Sequence, residues 1–442
     1  MLKLIFFLVF LAIFSSCFIW LADNDGVISV EWLGYQIDTN VTYAILAIII
    51  IFFALMTIFR FFLFIINIPT FLKRKQKINN YERSFLKLTE GFVALSQGDS
   101  KAACKSSEQV LKIMKNQPLA LIMAAKSAEL EGDTKKSEKH YSALLENKNT
   151  KFLAVKGLLD NAILRNSIDD IVKYGEQAYK MNSDAPAIAP TLLHSYKVQK
   201  DWDKAEILLK KYSGDEFFKN EEAAKIAYVK AQEFVESDIG KAISTLENAY
   251  KKYPAFTPVV ILLAQLLFDF GKAKKAANII ESAWKNQPHP ALTEIYLKII
   301  ANEKDKIKLK KVLKLNASNP SLSESNRIVA LIYLANEDVE QARNYAQLAL
   351  EHEETSVLCN LMAEIARKSG NSDYVIETWL ARAGNADSDP AWICGKCGTK
   401  DKKWDLECNE CESIDSVRWI SISSLSGELG LKDVTRKVSL LG

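Results

Sequence analysis

Residues 98–133 read GDSKAACKSSEQVLKIMKNQPLALIMAAKSAELEGD, and the pair Gly98-Asp99 that opens the stretch returns as Gly132-Asp133, 34 positions later. Ala242 and Ala276 stand at the same interval, as do Pro254 and Pro288, with Pro320 a further 32 positions on. Self-similarity at this period marks stacked two-helix units. The residue types fit that reading. Small side chains are needed where two helices cross closely, and the candidates are Gly91, Ala94 and Ala103 in one unit and Ala264, Ala276 and Ala283 in another. Ala342, Ala346 and Ala349 supply one helix face of a later unit. Pro254 and Pro288 end second helices and start the next unit.

A 34-residue, two-helix unit is the tetratricopeptide repeat, so an α-solenoid is predicted over residues 81–384, with eight or nine units. The stretch from Ala291 to Leu315 is the weakest, rich in Lys and poor in small residues. Such units bury their apolar faces only against neighbours, and stacking leaves a groove. Binding of partner proteins or peptides in that groove is the expected function, with a spacer or an oligomerisation surface as the plainer reading. The four histidines, His140, His194, His289 and His352, lie far apart and are expected at solvated surface positions.

Composition narrows the classes. The 442 residues are 49% hydrophobic and 25% charged, which excludes a disordered chain, and a net charge of +3 gives no nucleic-acid footprint. Only 17 Gly and 10 Pro suit long helices. Of 7 cysteines, Cys17, Cys104 and Cys359 are scattered, so a disulfide framework is not expected.

Outward from the repeats, residues 1–72 read as a transmembrane hairpin. Leu4 to Ala22 and Val41 to Phe59 are uncharged runs of 19 residues each, about 28 Å as helix, close to the hydrocarbon thickness. Arg60 interrupts the second run, Phe61 to Ile68 resume it, and Pro69 is expected to stop it. A signal peptide is the rival for the first run, but its positive flank is only Lys3 and no small-residue cleavage site follows. The intervening loop carries Asp23, Asp25, Glu31 and Asp38, whereas Lys73, Arg74, Lys75 and Lys77 follow the second run. The positive-inside rule then places both termini and the repeats in the cytoplasm of a two-pass inner-membrane protein. Residues 27–37 mix β-branched and aromatic side chains and suggest a short periplasmic hairpin on the outer interface.

At the other end, residues 390–420 hold the strongest chemical signal. Cys394 and Cys397, then Cys408 and Cys411, form two C-x2-C pairs separated by ten residues. Four thiolates in a short ribbon favour a structural Zn²⁺, with Gly395 and Gly398 easing the turns, and a rubredoxin-type iron uses the same ligands. A full set of four cysteine ligands leaves no open coordination position, so catalysis is not expected there. Trp392, Trp404 and Trp419 are expected to pack on the ribbon, and residues 421–442 form a tail. No dinucleotide, P-loop, zincin or nucleophile-elbow motif occurs. No residue is nominated as catalytic, and the chain reads as a non-enzyme.

Two spans, an acidic loop with Val30-Glu31-Trp32-Leu33-Gly34-Tyr35, a basic exit and tetratricopeptide-like repeats resemble the HemY family of proteobacterial inner-membrane proteins. The segment Trp392 to Trp419 looks like the extension of alphaproteobacterial members and is similar to the rubredoxin-like site of LapB, a membrane-anchored regulator of lipopolysaccharide synthesis. LapB-like proteins have one span, so HemY is the better match. The resemblance implies a scaffold associated with a late step of protohaem synthesis, with haem-synthesis enzymes and the bilayer as partners and no nucleic acid. A LapB-like regulator and a redox protein with iron on the four thiolates are the alternatives.

Overall fold

In the computed structural model, which describes residues 2–24, 26–185, 187–386 and 388–421, the 34-residue period becomes a recurring turn. Gly98 (φ 78°), Gly132 (φ 74°), Asn166 (φ 52°) and Lys200 (φ 57°) stand at successive intervals of 34, each left-handed, between the two helices of a pair. Gly271, Glu337 and Gly370 repeat the conformation later. The left-handed residue ends one helix and the next residue begins the other. Asp99, Asp133, Asp201 and Asp338 fill that second place, and their carboxylates accept the backbone N–H three residues on, at 2.9, 2.9, 3.1 and 3.2 Å.

The chain divides into two compact units, Met1–Leu144 and Leu145–Gly442. In the first unit, the last turns of helix Val41–Ser96 pair with Ser100–Ile113, and Pro118–Leu130 pairs with Thr134–Leu144. In the second, seven further pairs run from Lys151–Leu164 with Ile168–Met181 to Ser356–Lys368 with Asp373–Asn385. The small residues sit where the sequence places them. A Cβ on Gly91 would stand 2.3 Å from the Met123 sulfur, and Ala103, Ala264, Ala276, Ala342, Ala346 and Ala349 are fully buried. The weakly patterned stretch 291–315 forms two helices, Pro290–Ile300 and Asp305–Ala317, without a left-handed turn residue between them. Bulky Leu292, Tyr296 and Val312 fill its interior, and Trp284 donates to the Ser325 hydroxyl at 2.9 Å beside it.

The first unit also contains the membrane segment. Helices Leu4–Asp23 and Val41–Phe64 are long and apolar enough to cross a bilayer, and neither span is buried within the protein. Pro69 does not end the second helix, contrary to expectation: it runs unbroken from Val41 to Ser96. A proline inside a helix costs about 3 kcal/mol. Two new helix ends would strand up to about eight backbone groups, which is worse beside a bilayer. This helix of 56 residues is about 84 Å long, and its far end is the first repeat helix.

Between the spans, β1 (Val27–Trp32) and β2 (Tyr35–Asn40) form the expected hairpin, paired from Val27↔Asn40 to Trp32↔Tyr35. Leu33 (φ 53°) and Gly34 (φ 83°) make a two-residue turn with both φ positive, the type I′ pattern that suits strand twist. In the second unit, β3 (Ala391–Cys394), β4 (Lys400–Asp401) and β5 (Val417–Ile420) form an antiparallel sheet in the order β4-β3-β5. Apart from Ser421, the expected tail 421–442 lies outside the described residues.

Candidate metal centre and its seat on the repeats

Two knuckles built alike bring the four cysteines together. In each, the residue after the second cysteine is left-handed, Gly398 (φ 78°) and Glu412 (φ 55°). Its N–H returns to the carbonyl of the first cysteine, from Gly398 to Cys394 and from Glu412 to Cys408, both at 2.9 Å. The first cysteine of each donates its own N–H at 3.0 Å, Cys394 to Thr399 and Cys408 to Ser413. Gly398 therefore serves the turn as expected. Gly395 does not: a Cβ there would meet the Ser416 carbonyl at an ordinary 3.5 Å.

The four sulfurs lie within 4.8 Å of one another, with Cys394–Cys411 at 3.7 Å and Cys397–Cys408 at 3.6 Å. Thiolates placed tetrahedrally about 2.3 Å from one ion would be about 3.8 Å apart, so the set fits a metal. Cys394 and Cys408 are buried, Cys411 is half-buried and Cys397 is exposed. Burial alone would raise the Cys394 thiol, but hydrogen bonding with the Ser416 and Ser413 hydroxyls and from the Cys397 and Lys396 amides holds it below the usual thiol range. Cys408, deeper in the ribbon, is pushed up by burial.

The ribbon does not extend the repeat stack at its end. It lies on the first helices of the middle pairs, and its Trp392, Cys394, Trp404, Leu406, Cys408 and Val417 share one continuous apolar core with them. The three tryptophans face the repeats as well as the ribbon. Trp404 meets Tyr228 and Phe256 edge-on, with centroids 5.0 and 4.9 Å away. The Tyr228 hydroxyl donates to the Trp404 carbonyl at 3.1 Å, and the Trp404 indole donates to the Val417 carbonyl at 3.1 Å. Beside this contact Lys197, only 3% exposed, binds Glu222 at 2.6 Å and also Asp415 of the ribbon. Lys225 holds the same two carboxylates and Glu221, and their charges raise its pKa against the opposing effect of burial. At the rim Lys200 pairs with Glu407 at 2.9 Å. Lys200 occupies a turn position where Gly serves elsewhere, and its side chain reaches the ribbon.

His289 is the residue that sequence reasoning misplaced. Far from solvated, it is 2% exposed, with Trp419 at 4.1 Å and Trp392 at 5.8 Å between ring centroids. Its Nδ1 accepts the Ala291 amide at 3.1 Å, which caps helix Pro290–Ile300. Nε2 therefore carries the proton of the neutral ring, and it has no hydrogen-bond partner among the described residues. Burial lowers the pKa to about 4. His140 is half-buried, whereas His194 and His352 are exposed as expected, and the pKa values of His140 and His194 are lowered first by partial desolvation.

The profile of the HemY protein N-terminus matches residues 26–149, and that of a tetratricopeptide repeat matches residues 235–296. This is a HemY-like tetratricopeptide-repeat protein. A curated relative from Magnetospirillum gryphiswaldense, named "Probable magnetosome protein Mms48", is 22% identical over 95% of this chain and 93% of its own length. Among solved structures, a Naa15/Naa10 complex bound to HypK-THB has a chain that is 12% identical, with a TM-score of 0.41. That match covers 70% of this chain and 60% of the other, so the HemY-like chain spans less than two thirds of it. A tetratricopeptide repeat protein from Parabacteroides merdae is 12% identical over 69% of this chain and all of its own, with a TM-score of 0.31.

The signals for Lys197, Glu222 and Tyr228 were absent from the sequence, where each reads as one more polar residue on a helix. His289 had one retrospective signal, its place between Pro288 and Pro290 at the start of a first helix. No periodicity told that this helix end would meet two tryptophans from residues 392 and 419.

Proposed function

We propose that the protein is a membrane-anchored scaffold whose repeats hold partner proteins close to the bilayer. The observation that carries this reading is helix Val41–Ser96, in which an apolar span and the first repeat helix are one element. A rigid helix transmits position, so whatever the first repeats grip is held at a fixed distance from the membrane. The two-pass arrangement leaves the acidic hairpin outside and the repeats in the cytoplasm, in line with the Lys73–Lys77 flank. Repeats over residues 81–384 and a metal module over 390–420 complete the layout. Cys394, Cys397, Cys408 and Cys411 hold a structural Zn²⁺ there, and a closed set of four thiolates gives the ribbon a fold it could not reach with its own small core.

The partners are enzymes of a late step of protohaem synthesis. This part rests on the resemblance to HemY and on the match over residues 26–149. The porphyrin profile of cells depleted of the protein tests it, together with photo-crosslinking from the inner faces of the repeats. A build-up of one porphyrin and crosslinks to the enzyme that consumes it are the expected result. An unchanged profile with persisting crosslinks would move the assignment to envelope assembly. That LapB-like reading is favoured by the four-cysteine segment Trp392–Trp419. A coloured protein with iron in place of zinc would instead support a redox centre.

A further inference from the structure

Where the docked ribbon ends, a cavity of about 700 Å³ opens between β5 and the first helices of the last three pairs. Its apolar wall is Leu322, Val357, Leu358 and the ring of Trp419, and Leu322 and Val357 are both more than 40% exposed. Its polar lining includes four carboxylates, Glu294, Glu324, Glu353 and Asp389, around one guanidinium, Arg327. Arg327 is already committed: both its hydrogen bonds, at 2.7 Å, go to the two oxygens of Glu324, which also accepts from Thr293. Asp389 accepts the Val357 amide at 3.1 Å, and Glu294 makes no hydrogen bond or salt bridge among the described residues.

Glu294 and Asp389 act on Arg327 only through space, with no hydrogen bond or ion pair to it, and they share the cavity with the Trp419 ring and an apolar wall. A guanidinium is the group that satisfies both halves at once, because it stacks flat on an aromatic ring while its N–H fork engages carboxylates. A compact ammonium would pair with the acids and gain less from the ring. We propose that this cavity receives an arginine side chain from an extended apolar segment of a partner protein. The proposal rests on the scaffold reading and names the partner chemistry of its groove. It also gives the ribbon a direct part in recognition, since Trp419 belongs to the ribbon and the cavity is complete only with the ribbon seated.

The test uses the full chain in detergent with its metal bound. The probe is a fluorescein-labelled peptide, GSLRLLSG, read by fluorescence anisotropy against the same peptide with Gln in place of Arg. The Arg peptide should bind at least tenfold tighter, and the preference should shrink below twofold in the double variant Glu294→Gln, Asp389→Asn. Both substitutions are isosteric, and unchanged metal content in the variant shows that the ribbon is intact. Binding of the Arg peptide should also disappear in Cys394→Ser, Cys397→Ser. Equal binding of the two peptides, or an undiminished preference in the double variant, would overturn the proposal. So would a tenfold gain in affinity when the chain is cut after Ser421, because the occupant would then be the protein's own following segment. If discrimination fails while partner crosslinks to the repeats persist, the cavity assignment alone is wrong. If the crosslinks are missing too, the scaffold reading falls with it.

Discussion

The protein has two small β elements, and they reach stability by opposite means. The hairpin β1–β2 buries almost nothing: Trp32 is 74% and Tyr35 78% exposed, and its order comes from six ladder pairs and a tight turn. The sheet β4-β3-β5 is shorter, yet Ile393, Cys394 and Cys408 are fully buried, because four cysteines close it from one side and the repeats cover the other. An isolated two-stranded hairpin is marginal in water. The hairpin β1–β2 is joined at both ends to helices apolar and long enough to cross a bilayer, whereas the ribbon has a cluster of four cysteines and a protein surface. Two pieces of similar size therefore respond very differently to single substitutions.

The largest difference should come from Cys394→Ser with Cys397→Ser. Metal content measured by mass spectrometry should fall to background, and residues 390–420 should become protease-sensitive while repeat helicity persists. Structural zinc sites of this kind supply on the order of 10 kcal/mol. Metal retained at the wild-type level would refute the ligand assignment. No substitution in the β1–β2 hairpin should approach this effect.

Next comes the seat. Lys197→Met leaves buried Glu222 with Lys225 alone, so the loss should stay below the roughly 3–5 kcal/mol of a fully broken buried pair. Ribbon release, followed by Trp404 fluorescence during denaturant titration, should shift accordingly. Adding Glu222→Leu should recover much of the loss, since an apolar pair of similar volume avoids the stranded charge. A single variant as stable as wild type would mean the ribbon is held by its aromatic contacts alone.

His289 adds a pH term that the hairpin lacks. Its pKa in the fold is about 4, below the ordinary 6.5. Between those values the unfolded chain binds the proton and the folded one does not, so stability is full above about pH 6.5 and declines as pH falls toward 4. The loss reaches about 3 kcal/mol at most. His289→Gln should remove this share of the slope, which separates it from protonation of the cysteines. Parallel slopes in the two proteins would show that the ring is not held neutral by its site. The smallest effect belongs to the β1–β2 hairpin. Leu33→Asn supplies the residue a type I′ turn prefers and should steady the hairpin by about 0.5–1 kcal/mol without altering the Trp32↔Tyr35 register. Amide exchange of β1 and β2 measures it.

Much of this was legible beforehand, for local reasons. Gly98, Gly132 and the buried alanines expose the repeat because a left-handed turn and a close helix crossing each demand a residue type. The same logic failed at Lys200 and Glu337, where a turn of the same φ is made without Gly or Asn, and at Pro69, where helix continuity outweighed a local breaker. The four cysteines were legible because their spacing is chemistry in itself. The seat was not. Asp415 meets Lys197 across 218 positions and Tyr228 meets Trp404 across 176, distances at which no periodic pattern carries information.

The sequence by itself determined the membrane hairpin, the two-helix units and the sulfur cluster, since each is set by residues within a few turns of one another. Only the tertiary structure decided that the ribbon lies on the first helices of the middle pairs, that His289 is sealed between tryptophans, and that a cavity opens beyond Trp419. The reason is physical. Local conformation follows from the backbone preferences and side-chain volumes of neighbours, whereas docking follows from the shape and charge of two surfaces that do not exist until both parts have folded.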